Sequence, residues 1–179
     1  VGVRRKAFTL LEVMAVISII GIMMLALIPA YGIARRSSDR RITQAWFQKV
    51  ILAYESYRQD NSEYPHFNNE SVADDLALCM DSFLEILTDG EDQEPYCLLS
   101  EADFRATYNG ENVPGDGFGN PHTVVLTDDD RDGKIYLNED SRVPQEFYPE
   151  GRNYIYASVA VYSLNDEENP DWEWICSWK

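Results

Sequence analysis

The chain has 179 residues, 45% of them hydrophobic, enough to fill the core of one small domain. Residues 1–41 hold seven basic and two acidic side chains, net +5 against −16 for the whole chain, so the remainder carries −21. A surface that acidic repels nucleic acid and anionic lipid and attracts cations, which sets direct DNA binding aside.

Arg4, Arg5 and Lys6 lead into Ala7-Phe8-Thr9-Leu10-Leu11-Glu12, and Val13 to Ala30 follows without a charged residue. With Phe8 to Leu11 added, the stretch reaches the ~20 apolar residues that cross a bilayer as a helix. The preceding basic residues predict a cytoplasmic N-terminus. A carboxylate in such a segment costs about 2.5–3.5 kcal/mol at a helix centre and less near an end, so Glu12 calls for a partner. A cut between Ala7 and Phe8 would create one, because a free α-amino group titrates near pH ~8 and is mostly cationic at neutral pH. Glu12 of one chain then pairs with the Phe8 amine of a neighbour, and any misregistered packing leaves two unpaired charges. The competing readings are a signal anchor with an incidental Glu and a secretory signal cut after Ala30.

This segment resembles the leader and N-terminal helix of the type IV pilin and type II secretion pseudopilin superfamily. The resemblance implies cleavage by a prepilin peptidase before Phe8 and N-methylation of that residue. It also implies a docking role for Glu12 and a helix-kinking role for Pro29, 21 residues after Phe8. Ala7 stands where glycine is usual. The implied fold is α+β and pilin-like, a long N-terminal helix packed on a small antiparallel sheet. Residues 1–7 are the leader, 8–34 the transmembrane and filament-core helix, 35–60 its amphipathic continuation, and 61–179 a periplasmic globular domain closed by an antiparallel sheet.

Ile42, Trp46, Val50, Ala53, Tyr54 and Tyr57 recur at helical intervals and predict the face that grips the sheet. Pro29 removes a helical hydrogen bond and Gly21 and Gly32 lower helix propensity, making the apolar half easiest to bend. Tyr64-Pro65 ends the helix, since a residue before proline avoids helical backbone. A short helical pattern covers Val72 to Leu87, bounded by Thr88-Asp89-Gly90.

Three cysteines, Cys79, Cys97 and Cys176, allow one disulfide and one free thiol, and Cys79 with Cys97 is the preferred pair. The absence of a C-x-x-C spacing argues against zinc or redox chemistry. Gly115, Gly117 and Gly119 lack the spacing of a phosphate-binding loop, and Pro121 follows in place of a helix. The run Asp116-Gly117-Phe118-Gly119-Asn120-Pro121 instead resembles the Asp-x-Trp-Gly-Asn-Pro turn of major pseudopilins, with Phe118 where Trp is usual.

His122 to Thr127 and Lys134 to Leu137 read as strands around an Asp-rich hairpin turn. Asp128, Asp130, Asp132, Gly133, Lys134, Ile135 and Glu139 fit a twelve-residue calcium-loop pattern, with Lys134 offering only its carbonyl oxygen. Calcium is therefore the expected cofactor; the bland alternative is an ordinary acidic turn in an acidic chain. Calcium also commonly orders the C-terminal loops of major pseudopilins.

Asn153 to Leu164 reads as one long buried strand. Trp172, Trp174, Cys176 and Trp178 alternate along a last strand, predicting a packed face over the Trp46 side of the helix or, alternatively, a sugar-stacking platform. His66 and His122 lie in no catalytic motif, and no nucleophile elbow, zincin motif or Walker loop is present, so no enzyme activity is expected.

The resemblance implies a structural subunit of a type II secretion pseudopilus in the bacterial inner membrane. Its implied partners are copies of itself, other pseudopilins, the prepilin peptidase and an assembly platform with its ATPase. The alternatives are a type IV pilin for adhesion or motility, and an unprocessed membrane-anchored ectodomain that binds its target with calcium.

Overall fold

The computed structural model describes residues 9–65, 67, 73–88, 94–137, 141, 143–164 and 173–178. The first element is the helix α1, Leu10–Asn61, and the chain divides into compact units Val1–Ser38 and Asp39–Lys179. In the first unit α1 is long and apolar enough to cross a membrane, and among the described residues none of that apolar window is buried. Leu10, Val13, Ile17, Ile20, Met24 and Ile28 are all exposed, a distribution stable only when lipid or other chains cover it. Pro29 lies inside the helix, which continues past it.

In the second unit, β1 (Ala73–Asp75), β4 (Thr123–Thr127), β7 (Val159–Ser163) and β8 (Ile175–Cys176) form an antiparallel sheet in the order β1-β4-β7-β8. Between them come α2 (Met80–Leu87), a hairpin of β2 (Ala106–Tyr108) and β3 (Glu111–Val113), and a pair of β5 (Ile135–Tyr136) and β6 (Tyr154–Ile155). A long N-terminal helix followed by a small antiparallel sheet is the α+β, pilin-like arrangement expected.

The strands β4 and β7 are buried on both faces, with Val125 opposite Val161 and Val124 opposite Tyr162. Strand alternation sends Val125, Val159 and Val161 toward α1 and α2, where Trp46, Phe47, Val50, Ala53, Tyr54, Phe83 and Leu87 complete one core. Each large side chain buried there contributes about 1.5–3 kcal/mol. Val124, Leu126, Ala160 and Tyr162 face the other way and are covered by Ile135, Leu137, Val143 and Ile155. The buried stripe of α1 contains Trp46, Val50, Ala53 and Tyr54 as the periodicity predicts, and adds Thr43 and Phe47. Ile42 and Tyr57 lie at its partly exposed margins.

The turn after β3 pins the helix to the sheet. Asp116 is fully buried, and its Oδ1 accepts the backbone N–H groups of Phe118 and Asn120 at 2.8 and 3.0 Å, while Ser163 on β7 donates its hydroxyl to Oδ2 at 2.8 Å. Burial nonetheless pushes its carboxyl above the usual carboxylate range, against those three donors. Asn120 donates its side-chain amide to the Leu164 carbonyl. The Gly117 N–H reaches Thr43 Oγ1 on α1 at 3.0 Å, and a Cβ at Gly117 would lie 1.9 Å from the Asp39 carbonyl oxygen. Only glycine permits that approach of turn to helix.

Several sequence expectations are corrected. Residues 73–75 form β1, hydrogen-bonded to β4, so the helix within Val72–Leu87 is only Met80–Leu87. Asn153–Leu164 is two strands, because β6 pairs with β5 and β7 with β4, and Ser158 between them gives its carbonyl to the Asp128 N–H at 2.9 Å. Trp174 and Trp178 pack around Tyr162, with ring centroids at 5.8 and 6.1 Å, on the sheet face opposite Trp46. Their alternation fixes a shared face but not which one, and the register of Cys176 against Tyr162 decides it. Trp172 lies outside the described residues.

Two measurements check this packing. Gly117→Ala should lower unfolding stability by about 2–4 kcal/mol in chemical denaturation of the full chain, since the clash is with backbone. Lys49 Nζ meets Asp103 Oδ2 at 2.7 Å; burial raises the Asp103 carboxyl, but Lys49 and Ser100 outweigh it and hold it below its ordinary value. That stability is present above the unfolded carboxylate range and disappears as pH falls through the depressed folded value. Lys49→Met should therefore flatten the loss of stability on acidification below about pH 4, measured by denaturant titration across that range.

Candidate functional site

Two candidate sites lie along the chain, and the N-terminal one begins with the start of α1. Ala7 and Phe8 lie outside the described residues. Thr9 donates its backbone N–H to Glu12 Oε2 at 2.8 Å and its hydroxyl to the same oxygen at 3.0 Å, while the Glu12 N–H returns to Thr9 Oγ1 at 3.2 Å. This reciprocal arrangement is a capping box, which satisfies two backbone donors that a helix start otherwise leaves open. Glu12 thus has a partner within its own chain besides any offered by a neighbour. The spacing Thr9-x-x-Glu12 before an apolar run is itself a readable signal for this cap, independent of any membrane cost, and sequence reasoning missed it. Pro29 lies 17 residues further along the same helix, among exposed apolar side chains.

The second candidate is the loop between β4 and β5. It is not a hairpin, because β4 pairs with β1 and β7 whereas β5 pairs with β6; the loop carries the chain from the central sheet to the second one. Arg131 and Gly133 both adopt left-handed backbone, at φ 60° and 80°, and fold the segment back on itself. The Gly133 N–H bonds Asp128 Oδ2 at 2.9 Å, the Asp132 N–H bonds Asp130 Oδ1 at 3.2 Å, and the Lys134 N–H bonds Asp132 Oδ1 at 2.8 Å.

One carboxylate oxygen from each of Asp128, Asp130 and Asp132 lies within 4.8 Å of the others. Two oxygens on opposite sides of a calcium ion are about 4.6–5.2 Å apart, so the spacing suits a shared hard cation. Asp128 is 5% exposed, and its Oδ1 is buried with no hydrogen-bond partner among the described residues. A buried lone acceptor is costly unless something satisfies it, and a cation would do so. Burial pushes the Asp128 carboxyl up, and the Asp130 and Asp132 carboxylates add to that against the Gly133 N–H. The Lys134 ammonium lies 5.4 Å from the centroid of the Tyr154 ring. Glu139 lies outside the described residues.

The expected Cys79–Cys97 disulfide is not formed, and Cys79, Cys97 and Cys176 are all buried thiols. Cys79 stands just before the first turn of α2, whereas the Cys97 N–H bonds the carbonyl of Leu87 at its end. Eight residues of helix rise separate those ends by about 12 Å, beyond the reach of a disulfide. Burial, then Asp74 and Asp75, pushes the Cys79 thiol up to about 12, and burial pushes Cys97 to about 11, so both are protonated at neutral pH. The Cys79 thiol donates to the Asp75 carbonyl at 3.0 Å.

Residues 3–28 match the family described as the prokaryotic N-terminal methylation motif. No curated protein and no solved structure matches the chain. The motif and the apolar helix that begins within it support a type IV pilin-like protein, processed by a prepilin peptidase and anchored through its N-terminal helix.

If the aspartate loop holds calcium, adding the ion should raise the melting temperature of the full chain, by mass action on the folded state. Replacing Asp130 and Asp132 with Ala should abolish that rise, and isothermal titration of the same variant should register no heat of binding. An unchanged rise would move the metal elsewhere.

Proposed function

We propose that this chain is a structural subunit of a type II secretion pseudopilus, assembled from the bacterial inner membrane to drive export of folded protein. The observation that carries the reading is the methylation motif at residues 3–28, which runs into a helix whose apolar side chains are exposed among the described residues. The Asp116–Pro121 turn and the aspartate loop favour a pseudopilus over a type IV pilus for adhesion or motility, because the turn resembles that of major pseudopilins and calcium commonly orders C-terminal loops in them, though not through ligands that transfer position by position.

In this reading the peptidase cuts before Phe8, the new amine is methylated, and it pairs with Glu12 of a neighbouring subunit in the filament core. That exchange trades the bonds Glu12 makes to Thr9 for a charge pair with the neighbouring amine. The globular domain lies in the periplasm with calcium at Asp128, Asp130 and Asp132, and an assembly platform with its ATPase adds subunits alongside other pseudopilins. The subunit's work is assembly, and it carries out no chemistry of its own.

Mass spectrometry of the membrane-extracted protein tests the reading. A chain beginning at Phe8 and carrying one methyl group is expected. An intact leader would point to an anchored ectodomain, and a start near Tyr31 to a secreted one; either would overturn the proposal. In the same cells Glu12→Val should insert into membrane normally yet fail to co-assemble with the unaltered chain.

A further inference from the structure

The outer face of the β5–β6 pair is an aromatic patch with two basic side chains, beside the aspartate loop, where the Tyr136 hydroxyl donates to Asp132 Oδ2 at 3.2 Å. Tyr136 and Tyr154 are cross-strand partners with ring centroids 5.9 Å apart, and Tyr156 stands edge-on to Tyr154 at 5.3 Å. Tyr136 is 47% exposed and Tyr156 67%, far more than a folding core would leave open. Lys134 lies 5.4 Å from the Tyr154 centroid, and Arg152 lies 5.9 and 5.7 Å from Tyr154 and Tyr156. Among the described residues neither cation forms an ion pair with a carboxylate, although residues 42–179 are strongly acidic. Charged side chains resting on exposed rings keep their charge available to a partner. Tyrosine and arginine are also the residues on which protein interfaces most often depend.

The complementary surface lies on the other side of the same domain. α2 turns Met80, Phe83 and Leu87 into the core it shares with α1 and turns Asp81 and Glu85, four residues apart, outward. Leu78, 57% exposed, and Ile86, 37% exposed, flank that acidic pair. α2 covers one face of the central sheet, whereas β5 and β6 cover the other. Two unlike, complementary surfaces on opposite sides of a subunit make a head-to-tail contact, which builds an open filament when its rotation does not close a ring.

We propose that the Tyr136, Tyr154, Tyr156, Lys134 and Arg152 face docks on the α2 face of a second copy of this chain, at Leu78, Asp81, Glu85 and Ile86. The inference deepens the filament reading and rests on it, adding a contact between globular domains to the packing of N-terminal helices. The charges select the register and the rings supply the apolar contact.

Charge exchange in the full chain tests it, with polymer read by sedimentation of membrane extracts. Lys134→Glu with Arg152→Glu, and separately Asp81→Lys with Glu85→Lys, should each reduce sedimentable polymer on the order of tenfold, as loss of an interface anchor does. Combining all four substitutions in one chain should restore it, which a merely misfolded variant could not do. Independently, Tyr156→Cys with Ile86→Cys in one chain should give a ladder of cross-linked species with a short bismaleimide, and each single variant only dimers at most. If the unaltered chain sediments as polymer while the reversed variants do so equally, or if no ladder forms, the interface is overturned and the filament reading stands. If the unaltered chain forms no polymer, the filament reading falls and this contact falls with it. A cross-link from Tyr156→Cys to a different protein would replace the second copy with that partner and overturn the proposal.

Discussion

Two central strands with no solvent face organise the domain. Because β4 and β7 bury both of their surfaces, each side of the sheet needs a cover, and the chain supplies two of different kinds. The second half of α1 with α2 covers one side, and the β5–β6 pair with Trp174 and Trp178 covers the other. This requirement accounts for the near-continuous apolar runs TVVLT and VAVYS, which lack the alternation of a sheet with one wet face. It also accounts for Trp174 stacked on Tyr162, since the second cover is thin and large rings fill what two short strands leave open.

A hydrophobic cover alone would leave the second half of α1 free to slide along the sheet, and the Asp116 turn prevents this by polar means. Asp116 is anchored to β7 through Ser163, its neighbour Gly117 is anchored to Thr43 on α1, and Trp46 Nε1 reaches Thr123 Oγ1 on β4 at 3.1 Å. Directional bonds specify one register where apolar contact would tolerate several. The buried charge has a cost, visible in the raised Asp116 carboxyl, and the three donors around it offset that cost.

The elements most legible in the sequence were those with a local cause. The apolar run, the helical stripe around Trp46 and Val50, and the β-branched strand at 123–127 follow from side-chain periodicity. The aspartate loop was legible as a set of residues, and Asp128, Asp130 and Asp132 do converge. The remainder depended on distant pairing. A hairpin and a crossover between sheets present the same Asp-Gly turn, so the partner of β5 could not be read locally. Strand β1 is three residues long and carries two aspartates, a poor strand by composition that forms because β4 offers it an edge. Cysteine pairing failed for the same reason, since arithmetic counts thiols but does not measure the helix between them.

The two polar links between α1 and the sheet also define how the domain carries force. Tension along the second half of the helix reaches the Gly117–Thr43 bond and the Trp46–Thr123 bond within one turn of each other, so they bear load side by side instead of one after the other. Bonds loaded in parallel must fail together, while bonds loaded in series open singly like a zipper. This part of the helix and the sheet beneath it are therefore coupled as a rigid shackle, and a pull on one is delivered to the centre of the other, at β4 through Thr123 and at β7 through Asp116 and Ser163.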